Sequence, residues 1–197
     1  MLYELKMNEM IGSQKGKERD ELDFYATHFT AVEKLCELEN IKNMSILENS
    51  AGNGHIVKVL EREKYKNQCY TIDIVERDFK LDKVKNFLEI EKIGKRFDFA
   101  IYNPPFKHLI EFVKHTFNFV DKQWVFGRIQ VLESKKRYEE LFKNNWLKKV
   151  YVFSHRMSCA KGGIEEEFFK NNSMVFCWFL FDKNNTEKAT VEWITFE

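Results

Sequence analysis

The sequence predicts one α/β domain with a doubly wound, mostly parallel sheet of seven strands. Short apolar segments typical of buried strands alternate along the chain with segments whose apolar residues recur at helical spacing. The strand segments are 44–47, 68–72, 97–102, 123–132, 148–154, 174–182 and 189–196. The turn-rich stretch KNNTEK joins the last two, which predicts an antiparallel hairpin that closes the sheet.

Helical patterns fill most of the gaps between these strands. They are 31–39, a short run from Ile56, 109–117 and 133–145. Asn103, Pro104 and Pro105 follow the third strand and must end it, because proline lacks a backbone N–H and restricts the residue before it. The alternation of strand and helix favours parallel pairing with helices on both faces of the sheet.

The chain has room for one core. Its 197 residues, 44% of them hydrophobic, suit a single compact domain better than two. We expect a loosely held polar arm over residues 1–20 and the domain over 21–197, with no separate recognition domain. No segment has the apolar length of a secretory signal or a membrane span, so we expect a cytoplasmic protein without membrane partners.

Charge and cysteine content restrict the binding partners that the chain can have. The 32 basic residues nearly balance 31 acidic ones, so any affinity for a polyanion must come from the placement of charges. The four cysteines, Cys36, Cys69, Cys159 and Cys177, are widely spaced, with no histidine at zinc-ligand spacing. We therefore expect reduced thiols and no metal. The oligomeric state stays open.

A glycine-containing turn follows the first strand, in the sequence LENSAGNG. Gly52 and Gly54 allow a sharp bend and the close approach of a ligand to the next helix. Asp73, 19 residues after Gly54, ends the second strand, where a carboxylate can accept hydrogen bonds from ribose hydroxyls. Together these features suggest an adenosine-containing cofactor, although a tight turn and a solvated aspartate account for them equally well. Val57 replaces the third glycine of a dinucleotide fingerprint, and no GK[ST] follows for a P-loop.

The tetrad Asn103, Pro104, Pro105, Phe106 is the second candidate site. Alone it is a common strand terminator, but here it ends a strand beside the predicted nucleotide site. An aromatic exocyclic amine is a poor nucleophile, because its lone pair is delocalised into the ring. The Asn103 side-chain oxygen and the Pro104 carbonyl could accept its two N–H bonds and direct the lone pair toward an activated methyl group. Phe106 could stack on an extruded base.

These motifs together resemble those of small DNA N6-adenine methyltransferases, often encoded by phages and prophages, within the S-adenosylmethionine-dependent amino-methyltransferases. LENSAGNG is similar to their first motif, IYNPPF to their catalytic motif and DFYAT (23–27) to their N-terminal cofactor motif. QVLESKKRYEELF and VYVFSHR resemble their later strand and helix region, so the similarity spans residues 20–196 in the family's order. The resemblance implies a Rossmann-like methyltransferase sheet and S-adenosyl-L-methionine as cofactor.

The resemblance also assigns roles to particular residues. It implies that the methionine end of the cofactor is held by Phe24, Tyr25, Thr27, Glu48, Asn49, Ser50, Ala51, Gly52 and Gly54. Asp73 would bind the ribose and Asn103 would contact the cofactor as well as the amine. Asn86 and Phe87 stand where the family has an aspartate and an apolar residue against the adenine. The chain departs from the pattern at Asn86 and also at Asn49, where the family usually has proline.

The acceptor is the open question of this interpretation. Phe106 and the carboxyl-terminal half favour adenine in DNA, with DNA contacts from Arg156 and Lys161 in a short recognition loop near 154–172. Enzymes that methylate RNA or protein glutamine carry similar tetrads, because an amide or a guanine amine has the same delocalised lone pair. A non-catalytic module that binds nucleic acid or cofactor is a further alternative.

Overall fold

A computed structural model describes residues 25–161, 163, 166, 168 and 174–196. Its strands are β1 (Tyr25–Thr27), β2 (Ser45–Glu48), β3 (Gln68–Asp73), β4 (Lys83–Val84), β5 (Phe99–Tyr102), β6 (Lys122–Arg128), β7 (Leu147–Phe153), β8 (Cys159–Lys161), β9 (Phe176–Asp182) and β10 (Thr190–Ile194). The predicted α/β class with a mostly parallel central sheet is confirmed.

Within the described ranges, four α-helical segments and several tighter turns connect the strands. The α-helices are α1 (Phe29–Leu38), α2 (Val57–Leu60), α3 (Leu109–Thr116) and α4 (Lys135–Arg137), and a π-helical turn, Tyr138–Phe142, continues α4. The 3-10 helices are Phe87–Glu89, Phe106–His108 and Ile129–Leu132. None of the helices in the described ranges is long and apolar enough to cross a membrane.

The large sheet has the order β10-β7-β9-β6-β5-β2-β3-β4. Strands β2 to β6 are parallel, β9 runs antiparallel to both β6 and β7, and β10 is parallel to β7. The chain progresses outward in one direction from β2 to β3 and in the other from β5 to β6. The strand order therefore reverses between β2 and β5, and such a switch point is where open α/β sheets bind ligands.

Two details of the predicted sheet are wrong. Within the described residues the sheet has eight strands rather than seven, and β9 and β10 do not form a hairpin. All seven residues of β9 are buried, so it needs a neighbour on each side and lies between β6 and β7. Strand β10 is largely exposed, and residues 183–189 carry the chain past β7 to the sheet edge. Alternating apolar patterns cannot distinguish these two arrangements, because strand pairing is a tertiary choice.

Both faces of the sheet are covered, as a doubly wound fold requires. Consecutive residues of a strand point to opposite faces. Ile46 accordingly packs in the core beneath α1 and α2, whereas Leu47 packs in the core beneath α3 and the π-helical turn. The buried Trp178 also donates its indole N–H to the carbonyl of Ala31 in α1 at 2.9 Å. The carboxyl ends of the central strands are thus held between two packed helical layers.

A separate two-stranded ribbon stands at this end of the sheet. Strand β1 pairs antiparallel with β8, with Tyr25 opposite Lys161 and Thr27 opposite Cys159. The segment preceding α1 is thereby joined to the region predicted as a recognition loop. This pairing joins residues more than a hundred positions apart, and the helical and strand patterns alone do not reveal it.

Candidate active site at the strand switch point

A cavity of about 320 Å³ opens at the carboxyl ends of β2, β3 and β5. Its volume lies within the range of small-molecule sites, roughly 300 to 1,000 Å³. Its wall includes many of the residues that the sequence predicted for the cofactor, namely Tyr25, Thr27, Glu48, Asn49, Ser50, Ala51, Asp73, Asn86, Phe87 and Asn103. Pro105 from the predicted catalytic tetrad also lines it.

The glycine turn borders the cavity through residues 49–51, which line it. Gly52 and Gly54 have φ angles of +53° and +71°, a region that side chains with a Cβ rarely adopt. A Cβ on Gly54 would also lie 2.5 Å from the ring of Phe79. Both glycines shape the turn, but neither of them lines the cavity. Their role in this structure is conformational.

Asp73 joins the turn to the second strand. Its carboxylate accepts a hydrogen bond from the Gly52 N–H at 2.8 Å and one from the Val75 N–H at 3.3 Å, and it lies 3.7 Å from the Arg77 guanidinium. The side chain is 13% exposed and lines the cavity. Asp73 therefore supports the fold of the turn while presenting carboxylate oxygens to a ligand.

Glu48 is the most unusual group in the cavity. It ends β2, its side chain is buried, and neither carboxylate oxygen has a hydrogen-bond partner among the described residues. Burial raises the pKa of Glu48 well above its ordinary value, and the negative charge of Asp73 adds to the rise, while the nearby Ser50 backbone N–H lowers it. A buried carboxylate without partners is costly in the free protein. The structure is suited to a ligand that brings a cationic or hydrogen-bond-donating group to this position.

Asn49 connects the turn to the helix layer. Its side-chain N–H donates to the Thr116 hydroxyl at 2.8 Å, and that hydroxyl lies 3.5 Å from the hydroxyl of Tyr102. The Asn49 oxygen is buried and has no partner in the described part of the chain. The residue that departs from the family's usual proline thus forms a buried polar link beneath the site.

Asn103 lies immediately after β5 and is held from two sides. Its amide nitrogen donates to the Tyr25 carbonyl at 2.9 Å and to the Thr27 hydroxyl at 3.1 Å. Its own backbone carbonyl accepts a hydrogen bond from the Ser50 hydroxyl at 3.0 Å. Because both N–H donors point to β1, the side-chain oxygen is the group that remains to accept a hydrogen bond. The ribbon strand and the glycine turn together orient this amide.

Phe106 is the last residue of the tetrad. It begins a 3-10 helix, is not part of the cavity wall, and packs at the edge of the core. The guanidinium of Arg128, at the end of β6, lies over its ring with 4.8 Å between the guanidinium carbon and the ring centroid. Pro104 is buried and also lies outside the cavity wall. Of the tetrad, Asn103 and Pro105 therefore line the cavity, whereas Pro104 and Phe106 do not.

The remaining sequence-predicted residues divide into three groups. Phe24 lies outside the described residues. Asn86 and Phe87 line the cavity, but the Asn86 oxygen caps the following 3-10 helix by accepting the Leu88 N–H at 3.2 Å. Arg156 and Lys161 do not line the cavity. Lys161 belongs to β8, so this part of the predicted recognition loop also supports β1.

The structure adds cavity residues that sequence reasoning missed. They are Ala26, His55, Ile56, Ile74, Arg77, Leu88, Lys107, His108 and Phe112. The sequence could have indicated Ile74, because it is an apolar residue directly after Asp73. In the structure its side chain is 54% exposed. Phe168 packs edge-on against His28 with centroids 4.9 Å apart, and its ring centroid lies 6.1 Å from that of His55. Across the described ranges, no group of three or more His, Cys, Asp or Glu side chains could hold a metal ion.

Comparison with known proteins gives matches in structure. No protein-family model matches the chain, and no curated protein matches it in sequence. The modification subunit assigned to a type I restriction enzyme of Vibrio vulnificus YJ016 matches with a TM-score of 0.60 and 15% identity over 100% of this chain and 51% of that one. The present chain thus spans about half the length of that subunit.

Two further solved structures match over most of both chains. A Pyrococcus horikoshii protein assigned as an RNA methyltransferase has a TM-score of 0.53 and 16% identity, over 93% of this chain and 98% of that one. The plantazolicin methyltransferase BpumL, in complex with SAH, has a TM-score of 0.50 and 12% identity, over 79% and 85%. At these sequence identities the comparison shows a similarity of fold. The chain has the mixed α/β, mostly parallel, Rossmann-like fold that these proteins share.

Proposed function

We propose that this chain is an S-adenosyl-L-methionine-dependent methyltransferase that methylates the N6 amine of adenine in DNA. The observation that carries the proposal is the orientation of Asn103, whose two N–H groups are bound by β1 so that its oxygen remains as acceptor beside the cavity. A strand terminator needs no such constraint. An amine that must be activated for methyl transfer does need a fixed acceptor.

The cavity residues fit the proposed cofactor. Glu48 offers two unpartnered, buried oxygens, which suit the ammonium group of the cofactor's amino acid moiety. Asp73 lines the same cavity at the end of the next strand, where it can accept hydrogen bonds from ribose hydroxyls. The exposed apolar Ile74 follows it and offers a surface for the adenine. When bound, the cofactor supplies an electrophilic methyl group.

The chain's own contribution to the reaction is orientation and electrostatic stabilisation. The Asn103 oxygen and the Pro104 carbonyl accept the two N–H bonds of the amine, which directs its lone pair to the methyl carbon. The same acceptors stabilise the positive charge that develops on nitrogen as the bond forms. The Ser50 hydroxyl, bound to the Asn103 carbonyl, keeps the tetrad backbone in register with the glycine turn. The proton leaves the nitrogen after transfer, so no general base is needed at the outset.

Adenine in DNA is the acceptor that the arrangement supports best. Phe106 is the last residue of the tetrad, next to the cavity residues Pro105 and Lys107, and supplies an aromatic ring against which an extruded base can stack. One structural neighbour is assigned as the modification subunit of a restriction enzyme. RNA is the second candidate, favoured by the neighbour assigned as an RNA methyltransferase, which matches nearly end to end. Protein glutamine and a non-catalytic binding role are the remaining alternatives.

The test is methyl transfer from labelled cofactor to genomic DNA, to total RNA and to protein, followed by long-read sequencing of DNA from expressing cells. We expect label in DNA and modified adenines in a fixed sequence context. Asn103→Ala should slow single-turnover transfer by about a hundredfold, because one preorganised acceptor is lost. Asn144→Ala, at an exposed position, is the matched control. Label confined to RNA or protein would overturn the DNA assignment, and an Asn103→Ala variant as fast as the parent would overturn the role of the tetrad.

A further inference from the structure

Arg128 is a cation placed next to the proposed amine site. It ends β6, the neighbour of β5, and its guanidinium lies over the ring of Phe106. Burial raises the pKa of the partly buried Cys159 thiol, and the charge of Arg128 and the Asn103 side chain lower it. Arg128 therefore lies beside the last residue of the tetrad, and it does not line the cofactor cavity.

The charge of Arg128 is not balanced by an acidic side chain of the described residues. Among the arginines of this part of the chain, Arg62, Arg77 and Arg96 each form an ion pair, and Arg137 donates to two backbone carbonyls. Arg128 forms no ion pair within the described ranges, and its Nε is buried without a hydrogen bond. A buried guanidinium Nε without an acceptor is costly, so the arrangement suits an anionic ligand that supplies one.

The contact with Phe106 constrains the position of this charge. The guanidinium carbon lies 4.8 Å from the ring centroid, and the attraction between a cation and an aromatic face limits where the guanidinium can move. Planar donors suit the paired oxygens of a phosphate. If Phe106 contacts the extruded base, an anion bound by Arg128 lies within one nucleotide of that base.

We propose that Arg128 binds a phosphate that flanks the target adenosine and so fixes the extruded nucleotide beside Asn103. This inference rests on the proposed function. Arg128 is then a substrate-binding residue, distinct from the predicted DNA contacts at Arg156 and Lys161. It acts at the reacting nucleotide rather than on the surrounding duplex.

The first measurement compares Arg128→Gln with the parent on a duplex that contains the mapped target site. We expect the Kd for the duplex to rise about tenfold or more, because a charged hydrogen-bond partner is lost. The slope of log affinity against log salt should fall by about one. The Kd for S-adenosyl-L-methionine and the melting temperature should stay unchanged. Arg96→Gln, which removes an exposed arginine paired with Asp121, is the control.

The second measurement replaces single phosphates of the duplex by uncharged methylphosphonates. A methylphosphonate at one phosphate flanking the target adenosine should lower the affinity of the parent for the duplex. The same replacement should not lower the affinity of Arg128→Gln further, because this variant already lacks the contact. Arg128→Lys should retain part of the parent's affinity and sensitivity. The phosphate assignment is wrong if, at every phosphate tested, the affinity lost through the methylphosphonate adds fully to the affinity lost through Arg128→Gln. It is also wrong if Arg128→Gln binds the duplex as tightly as the parent does. A parent that methylates no DNA refutes the proposed function instead, so the two failures are distinguishable.

Discussion

Replacing Glu48 by glutamine should make the free protein more stable at neutral pH and at the same time weaken cofactor binding. The parent buries this carboxylate with both oxygens unpartnered, and its pKa is raised above the ordinary value of 4.5. The folded state therefore holds the proton more tightly than the unfolded state does. The parent's free energy of unfolding falls as pH rises from about 4.5 through the raised pKa.

The size of this effect follows from proton linkage. Each pKa unit between the folded and unfolded states is worth about 1.4 kcal/mol at a pH above both values. Glutamine has no titrating proton and nearly the same shape, so the stability gap between variant and parent should widen with pH across the window and then level off. Below about pH 4.5 the gap should close, because Glu48 is then protonated in both states.

Cofactor affinity should change in the opposite direction. In the proposed complex Glu48 is ionised and bound to the cofactor's ammonium group, and charged hydrogen bonds contribute about 1.5–3 kcal/mol each. Glu48→Gln should therefore weaken binding by roughly tenfold to a hundredfold. Because the free parent holds a proton on Glu48 below the raised pKa, binding in that range should release protons to the buffer.

The assays are denaturant unfolding from about pH 4 to about pH 8 and calorimetric titration with S-adenosyl-L-methionine in two buffers of different ionisation enthalpy. Glu63→Gln is the control, since this side chain is 89% exposed and its ion pair with Lys66 lies on the surface. A Glu48→Gln protein that is less stable than the parent at every pH and binds cofactor equally well would refute the reasoning. It would mean that Glu48 is satisfied in the folded protein and serves the structure.

Three further variants test other parts of the proposal. Asp73→Ala should weaken cofactor binding and also lower the melting temperature, because the Gly52 N–H loses its acceptor; unchanged affinity in calorimetry would contradict the ribose assignment. Gly54→Ala should cost at least about 1 kcal/mol of unfolding free energy, since φ is +71° and the added Cβ meets Phe79, and a denaturation midpoint equal to the parent's would disagree. The double variant Arg156→Ala, Lys161→Ala should raise the KM for DNA and reduce its salt dependence; if both stay as in the parent, the duplex contacts lie elsewhere.

The sequence by itself determined the fold class, and it predicted where a candidate site would lie. Strand and helix patterns have different periods, so the alternation of β and α segments could be detected locally. Glycines at 52 and 54, the aspartate at 73 and the prolines at 104 and 105 constrain the backbone through their own chemistry, wherever they lie. Since parallel strands bring their carboxyl ends to one edge, these short motifs were expected to meet there, and the cavity lies at that edge.

Only the tertiary structure decided how these groups are held. The insertion of β9 between β6 and β7 depends on which strand needs two neighbours, which local patterns do not encode. The amide of Asn103 is oriented by Tyr25 and Thr27, 78 and 76 positions away. Among the described residues, Glu48 is buried without a hydrogen-bond partner and Arg128 forms no ion pair, and both properties depend on three-dimensional surroundings rather than on residue type. Desolvation and pairing depend on every atom packed around a charge, and folding alone brings those atoms together.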